Sequence, residues 1–109
     1  MFSKPIVSGL LLTAALGFSL PSQAQSSGAE LYQQHCSKCH GDNGKARTLR
    51  GWLFFAQNLS KASWQSRESD DELAAAIRRG PGAMPTYEGK LTDAEIDQLV
   101  AHIRTLKQP

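Results

Sequence analysis

The sequence has 109 residues, with 12 Lys and Arg against 10 Asp and Glu, a formal net charge of +2 and two cysteines. This length fits one domain, and two cysteines are too few for a disulfide scaffold. The near balance of charges excludes a strongly basic nucleic-acid-binding arm, so we expect no nucleic acid among the partners.

The first 24 residues have the pattern of a secretory signal peptide. Lys4 precedes a mostly apolar stretch over residues 6–20, and Ser22-Gln23-Ala24 has the small-x-small pattern of a cleavage site. A membrane anchor would need about 20 apolar residues, more than this stretch provides before Pro21. We predict cleavage after Ala24, export to the periplasm, and a mature domain of residues 25–109 without stable membrane insertion.

Three main helices are predicted from their first turns, where a Ser or Thr is followed three residues later by Glu. These capping boxes are Ser27 with Glu30, Ser69 with Glu72, and Thr92 with Glu95. The predicted helices run over Gly28 to about His40, Asp70–Arg79, and Asp93 to about Lys107, with a short fourth over residues 60–67. No segment alternates like a strand, so the predicted fold class is all-α.

The strongest motif is Cys36-Ser37-Lys38-Cys39-His40, the attachment signature of a c-type haem. Residues three and four apart share a helix face, so Cys36, Cys39 and His40 point the same way. Two thiols can then form thioethers to the porphyrin, and the imidazole can bind the iron as the proximal ligand. A haem would also fill a mature domain that has few apolar residues of its own.

Other sites are compatible with two cysteines and a histidine. A structural zinc site needs four ligands, and this motif supplies three. A thioredoxin-like dithiol expects a βαβ pattern, which is absent, and a plain disulfide would give His40 no role. A thiol–disulfide or metal-binding module is the alternative from a different class.

Beyond the motif, the sequence resembles small bacterial class I cytochromes c from Gly28 to Leu106. The resemblance is carried by Gly28 and Tyr32 ahead of the Cys36–Gly41 motif, by the loop Gly80-Pro81-Gly82-Ala83-Met84-Pro85, and by the closing helix. It implies helices wrapped around one covalently bound haem c. It also implies that Gly28 and Tyr32 pack against the last helix at Leu99, Val100 and Ile103.

Met84 is the predicted second axial ligand. It is the only methionine in residues 25–109, it lies in a Gly/Pro-rich loop, and the resemblance assigns that position to the iron. Methionine as core filler is the simpler reading, and His102 would be the ligand of a bis-histidine haem. We expect His102 and His35 to be exposed to solvent instead.

Further contacts to the haem are implied by the resemblance. Leu59 and Trp64 are similar to family positions that pack on the haem, with the indole N–H near a propionate. A core tryptophan without a polar role is equally compatible. The run Trp52-Leu53-Phe54-Phe55 would either wall the pocket or form an exposed docking patch. The family's backbone carbonyl that accepts from the proximal histidine often belongs to a proline, which this sequence lacks between Cys39 and Pro81. Leu49 lies in that region, and the acceptor is left unassigned.

The predicted function is a monomeric periplasmic carrier of single electrons between larger redox proteins, and not an enzyme. The alternative within haem proteins is a labile Met84 that allows peroxidase or gas-sensing chemistry. Charge around the motif would steer an acidic redox partner. The basic residues concerned are Lys38, Lys45, Arg47, Arg50, Lys61 and Arg67.

Overall fold

The computed structural model describes residues 2–6, 8–17 and 26–109. The predicted cleavage site after Ala24 lies outside these residues, so the division into signal peptide and mature domain stays a prediction. No helix in the described ranges is both long and apolar enough to span a membrane.

The all-α prediction is confirmed. The described residues form helices and loops, and their one β-type contact is an isolated bridge between Lys61 and Gln108. The helices are α1 (Gly28–His35), α2 (Ser37–His40), α3 (Leu49–Leu53), α4 (Ala62–Arg67), α5 (Asp70–Arg79) and α6 (Asp93–Thr105).

The predicted first helix is interrupted at Cys36, which separates α1 from α2. The chain stays close to helical there, because the Cys36 N–H donates to the Tyr32 carbonyl and the Cys36 carbonyl accepts from the His40 N–H. The attachment motif therefore begins at the end of α1 and fills α2.

Helix caps explain most of the observed boundaries. Complete capping boxes begin α5 at Ser69 and α6 at Thr92. At Ser27 the hydroxyl accepts from the Glu30 N–H, but the return bond of the predicted box is absent from the described residues. Gly80 ends α5 in the left-handed conformation, with φ +67°, where glycine carries no steric penalty.

Helix α3 was not predicted. Its first turn is closed by Thr48, whose hydroxyl accepts from the Gly51 N–H at 2.9 Å. Gly51 lies in the middle of the helix, where the sequence alone suggests a helix breaker. The structure requires a glycine there, because an added Cβ would clash with the backbone carbonyl oxygens of Cys39 and Ala46.

The core lies where α1 packs against α6, and α5 also packs against α6. The most deeply buried side chains are Leu31, Tyr32, Ile96 and Leu99. The apolar residues of α6 face this core: Ile96, Leu99, Val100 and Ile103 are all buried, and Leu106 at the end of the helix is partly buried against them.

A polar network around the buried side chain of Gln65 joins α4, α5 and α6 beside this core. The Gln65 amide donates to the carbonyls of Leu59 and Ile103 at 2.8 and 2.9 Å. The Arg104 guanidinium donates to the Gln65 carbonyl at 2.7 Å and forms an ion pair with Asp70 at 2.9 Å. These bonds hold the short helix α4 on a domain that has few apolar residues to bury.

We expect Gly28→Ala to destabilise the contact between α1 and α6. A Cβ at this position would clash with the backbone carbonyl oxygen of Gln98, which cannot move without shifting α6. The expected loss in the free energy of unfolding is about 1–3 kcal/mol, typical of an overpacked contact. Guanidinium unfolding of the haem-loaded protein measures it. Ala29→Ser, at the exposed next position, is the control, and equal unfolding midpoints in the two variants would contradict the prediction.

Candidate haem-binding site

Three segments of the chain enclose a cavity of about 650 Å³. The first is the end of α1 with α2, the second follows α3, and the third is the Gly/Pro-rich loop after α5. Its lining residues are His35, Cys36, Cys39, His40, Leu53, Phe54, Phe55, Ala56, Gln57, Pro81, Gly82, Ala83, Met84, Pro85 and Tyr87. The structure thus brings four predicted site residues, Cys36, Cys39, His40 and Met84, to one cavity with a largely apolar wall.

His40 is held by a backbone carbonyl. Its Nδ1 lies 2.8 Å from the carbonyl oxygen of Gln57. Because that oxygen can only accept a hydrogen bond, Nδ1 must carry the proton, which leaves Nε2 with a free lone pair. The acceptor left open by the sequence is therefore Gln57 and not Leu49, which begins α3 with an exposed side chain.

Burial shifts the pKa of two groups in the cavity wall, the His40 imidazole and the Cys36 thiol. Burial lowers the pKa of His40, and the hydrogen bond to the Gln57 carbonyl opposes this effect in part. The imidazole is thus neutral near pH 7, as a metal ligand must be. Burial raises the pKa of the Cys36 thiol to about 12, with a smaller contribution from Cys39. Neither cysteine takes part in a disulfide.

The Met84 loop is tied to the end of α5. The Thr86 hydroxyl donates to the Arg78 carbonyl at 2.6 Å, and the Tyr87 N–H donates to the Ile77 carbonyl at 3.3 Å. The Met84 N–H closes a turn onto the Pro81 carbonyl at 3.2 Å. The thioether is therefore placed by a braced loop. Met84 is partly buried against the core.

Tyr87 is a site residue that the sequence did not indicate. Its hydroxyl donates to the His35 carbonyl at 3.0 Å, and its ring meets the His35 ring edge-on at 5.4 Å. Tyr87 thereby joins the Met84 loop to the end of α1, one residue before Cys36. A tyrosine in an aperiodic loop gives no sequence signal for this role.

The two unassigned histidines differ in position. His35 is exposed, as predicted, and lies at the rim of the cavity beside Tyr87. His102 does not line the cavity, and its ring lies 4.9 Å from that of Tyr32. His102 is half-buried by this contact, so the expectation that it would be exposed is wrong.

Leu59 and Trp64 do not line the cavity. Leu59 is buried in the core, and Trp64 packs partly buried against it. Their predicted contact with a haem stays a prediction. Of the run Trp52-Leu53-Phe54-Phe55, the last three residues line the cavity and Trp52 does not.

The donor set of the cavity fits a covalently attached haem. Two thiols on consecutive helical turns are available for thioethers, and a neutral imidazole has its outer nitrogen already bonded. A thioether and several apolar side chains complete the lining. An all-α domain with this attachment motif on the wall of an apolar cavity defines a c-type cytochrome.

Comparison with known proteins identifies the family. The model of the family described as cytochrome C oxidase, cbb3-type, subunit III matches residues 23–103, and the chain belongs to this family. Membership implies haem c as the cofactor.

Relatives of two kinds are found. A cbb3-type cytochrome c oxidase subunit FixP of Bradyrhizobium sp. (strain ORS 278) is 30% identical over 82 residues, 74% of this chain and 27% of that protein. A cytochrome c6 of Nostoc sp. (strain PCC 7120) is 30% identical over 105 residues, 92% of this chain and 91% of that protein. The chain spans about a quarter of the length of the FixP subunits that it matches.

A solved structure has the same fold. The KustC0563 c-type cytochrome is 36% identical, with a TM-score of 0.69, and the match covers 76% of this chain and all of that one. The predicted fold, an all-α cytochrome c domain, is therefore confirmed, as is the resemblance to small monohaem c-type cytochromes.

Proposed function

We propose that this protein is an exported carrier of single electrons with one haem c. Cys36 and Cys39 would hold the haem through thioethers, and His40 and Met84 would supply the two protein ligands of its iron. The observation that carries the proposal is the cavity lined by all four of these side chains. When bound, the haem supplies an iron that gains or loses one electron, with the thioether ligand favouring the reduced form.

The chain's own residues prepare the site for this role. The Gln57 carbonyl fixes the imidazole of His40 in one tautomer and orientation. Tyr87 and Thr86 brace the loop that carries Met84, so the thioether does not have to be ordered at each redox change. Phe54, Phe55 and Pro85 contribute apolar groups to the cavity lining.

A carrier role is favoured over catalysis. With His40 and Met84 both engaged, no coordination position is open to a substrate. The cytochrome c6 relatives are matched over 84% and 91% of their length, which supports a protein built from one haem domain. We propose that the protein acts as a monomer and is not an enzyme.

Electron donor and acceptor are proposed as larger proteins outside the cytoplasm. The predicted signal peptide supports export of the mature domain to the periplasm. The FixP relatives are named as subunits of a cbb3-type cytochrome c oxidase, so an oxidase of that type is the candidate acceptor.

The test is expression in a host that attaches haem c, followed by haem staining of the periplasmic fraction after denaturing electrophoresis. We expect one stained band, because thioether-bound haem survives denaturation, and a mass spectrum of a chain that begins at Gln25. A Cys36→Ala, Cys39→Ala chain is the control for non-covalent haem. A stain-negative band from the wild type would favour the thiol–disulfide or metal-binding alternative.

A further inference from the structure

The helix that leads into the attachment motif ends one residue before Cys36. In a continuous α-helix the Cys39 N–H would donate to the His35 carbonyl, four residues earlier. In this structure the Cys39 N–H donates instead to the Cys36 carbonyl at 3.3 Å. The break between α1 and α2 therefore takes the helical donor away from the His35 carbonyl. A carbonyl at the end of a helix needs another partner, from a side chain or from water.

Tyr87 supplies that partner from the loop that follows Met84. Its hydroxyl donates to the His35 carbonyl at 3.0 Å, and its ring lies edge-on to the His35 ring at 5.4 Å. Tyr87 is buried, and burial raises the pKa of its hydroxyl, so the phenol stays protonated and remains a donor. The hydroxyl thus binds the acceptor that the helix break leaves open.

The other hydrogen bonds at this end of the loop run to a different part of the chain. The Thr86 hydroxyl and the N–H groups of Tyr87 and Glu88 all donate to carbonyls in the last turn of α5. These bonds fix the loop relative to α5 but not relative to the attachment motif. Within residues 26–109, the bond from the Tyr87 hydroxyl joins the loop to the segment that contains Cys36.

We propose that Tyr87 is a positioning residue whose hydroxyl determines how readily another ligand displaces Met84. Displacement requires the loop to move away from the end of α1, and that movement breaks the bond between Tyr87 and His35. A bond that exists only in the closed form of the loop lowers the population of the open form. The inference rests on the proposed ligation by Met84. It makes Tyr87 a residue that keeps small nitrogen donors from the iron.

The proposal is tested with imidazole, because imidazole nitrogen is a good ligand for iron. Oxidised haem-loaded protein is mixed with imidazole in a stopped-flow instrument, and loss of the methionine-to-iron charge-transfer band is followed. The variant is Tyr87→Phe, which deletes the hydroxyl and keeps the ring beside His35. Tyr32→Phe is the matched control, since it deletes a tyrosine hydroxyl that also donates to a backbone carbonyl, that of Gly41, outside the Met84 loop.

We expect imidazole to displace Met84 about three to ten times faster in Tyr87→Phe than in the wild type, the ratio for one net hydrogen bond. Both variants should unfold at a lower guanidinium concentration, because each loses a hydrogen bond. The displacement rate in Tyr32→Phe should stay near that of the wild type. Amide hydrogen exchange across residues 81–87 should be faster in Tyr87→Phe alone.

Two results would overturn the proposal. An unchanged displacement rate in Tyr87→Phe would show that the hydroxyl does not hold the loop closed. An equal increase of the rate in both tyrosine variants would show a general loss of stability and no specific positioning. Failure of the proposed ligation looks different, because the oxidised wild type would then lack the charge-transfer band before any imidazole is added.

Discussion

A chain with Cys36→Ala and Cys39→Ala is expected to carry no covalent haem and to lose most of its helical circular dichroism. The helix contacts in the described residues lie either beside the cavity, where α2 meets α1 and α3, or in one small core between α1, α5 and α6. If a haem buries roughly 400 Å² of apolar surface, its removal costs on the order of 10 kcal/mol, an upper bound. That figure is comparable with the whole stability of a typical domain.

Far-ultraviolet circular dichroism of the purified variant measures the effect. Ser37→Ala is the matched control, because Ser37 lies between the two cysteines and bonds only the Gln33 carbonyl through its side chain. This control should keep its haem and its helical signal. Native-like ellipticity in the double cysteine variant would show that the helices hold together without the cofactor.

Met84→Ala is expected to remove the sixth ligand without releasing the haem. The charge-transfer band of Met-ligated ferric haem should disappear, and the midpoint potential should fall by more than about 100 mV, because a thioether ligand raises the potential. Absorbance spectra of both oxidation states and equilibrium redox titration measure the two effects.

Two control variants distinguish loss of the Met84 ligand from a disturbance of its loop and from ligation by His102. Ala83→Ser changes the adjacent lining residue without touching the sulfur and should leave the spectrum unchanged. His102→Ala should also leave it unchanged, since His102 packs on Tyr32 outside the cavity. An unaltered spectrum in Met84→Ala together with a changed one in His102→Ala would assign a bis-histidine haem. A wild-type protein that already lacks the band at neutral pH would favour the labile-methionine alternative.

Local signals in the sequence determined much of the fold. The capping boxes at Ser69 and Thr92 predicted where α5 and α6 begin, because a cap depends on side chains within one turn. The predicted end of α5 at Arg79 was also correct, and Gly80 follows it in the left-handed conformation. These features needed no knowledge of distant parts of the chain.

What the sequence did not predict depends on contacts between distant segments. Gly51 looks like a helix breaker until the Cys39 carbonyl is seen against it. The Gln57 carbonyl is a backbone group, so no side chain indicated that it would accept from His40. Tyr87 acquires its role from a partner 52 residues earlier in the chain. The motif predicted the two thiols and the imidazole that line the cavity, and the groups that orient them come from tertiary packing.

The burial of Tyr32 bears on the order in which this protein matures. Tyr32 lies one turn before Cys36, is fully buried, and donates from its hydroxyl to the Gly41 carbonyl at 2.6 Å. Its burial requires α6, which follows α1 in the chain and is therefore synthesised after it. Until α6 has been synthesised, Tyr32 cannot be buried against it. The packing of α6 on α1 therefore fixes the helix that leads into the attachment motif only after the motif itself has been made.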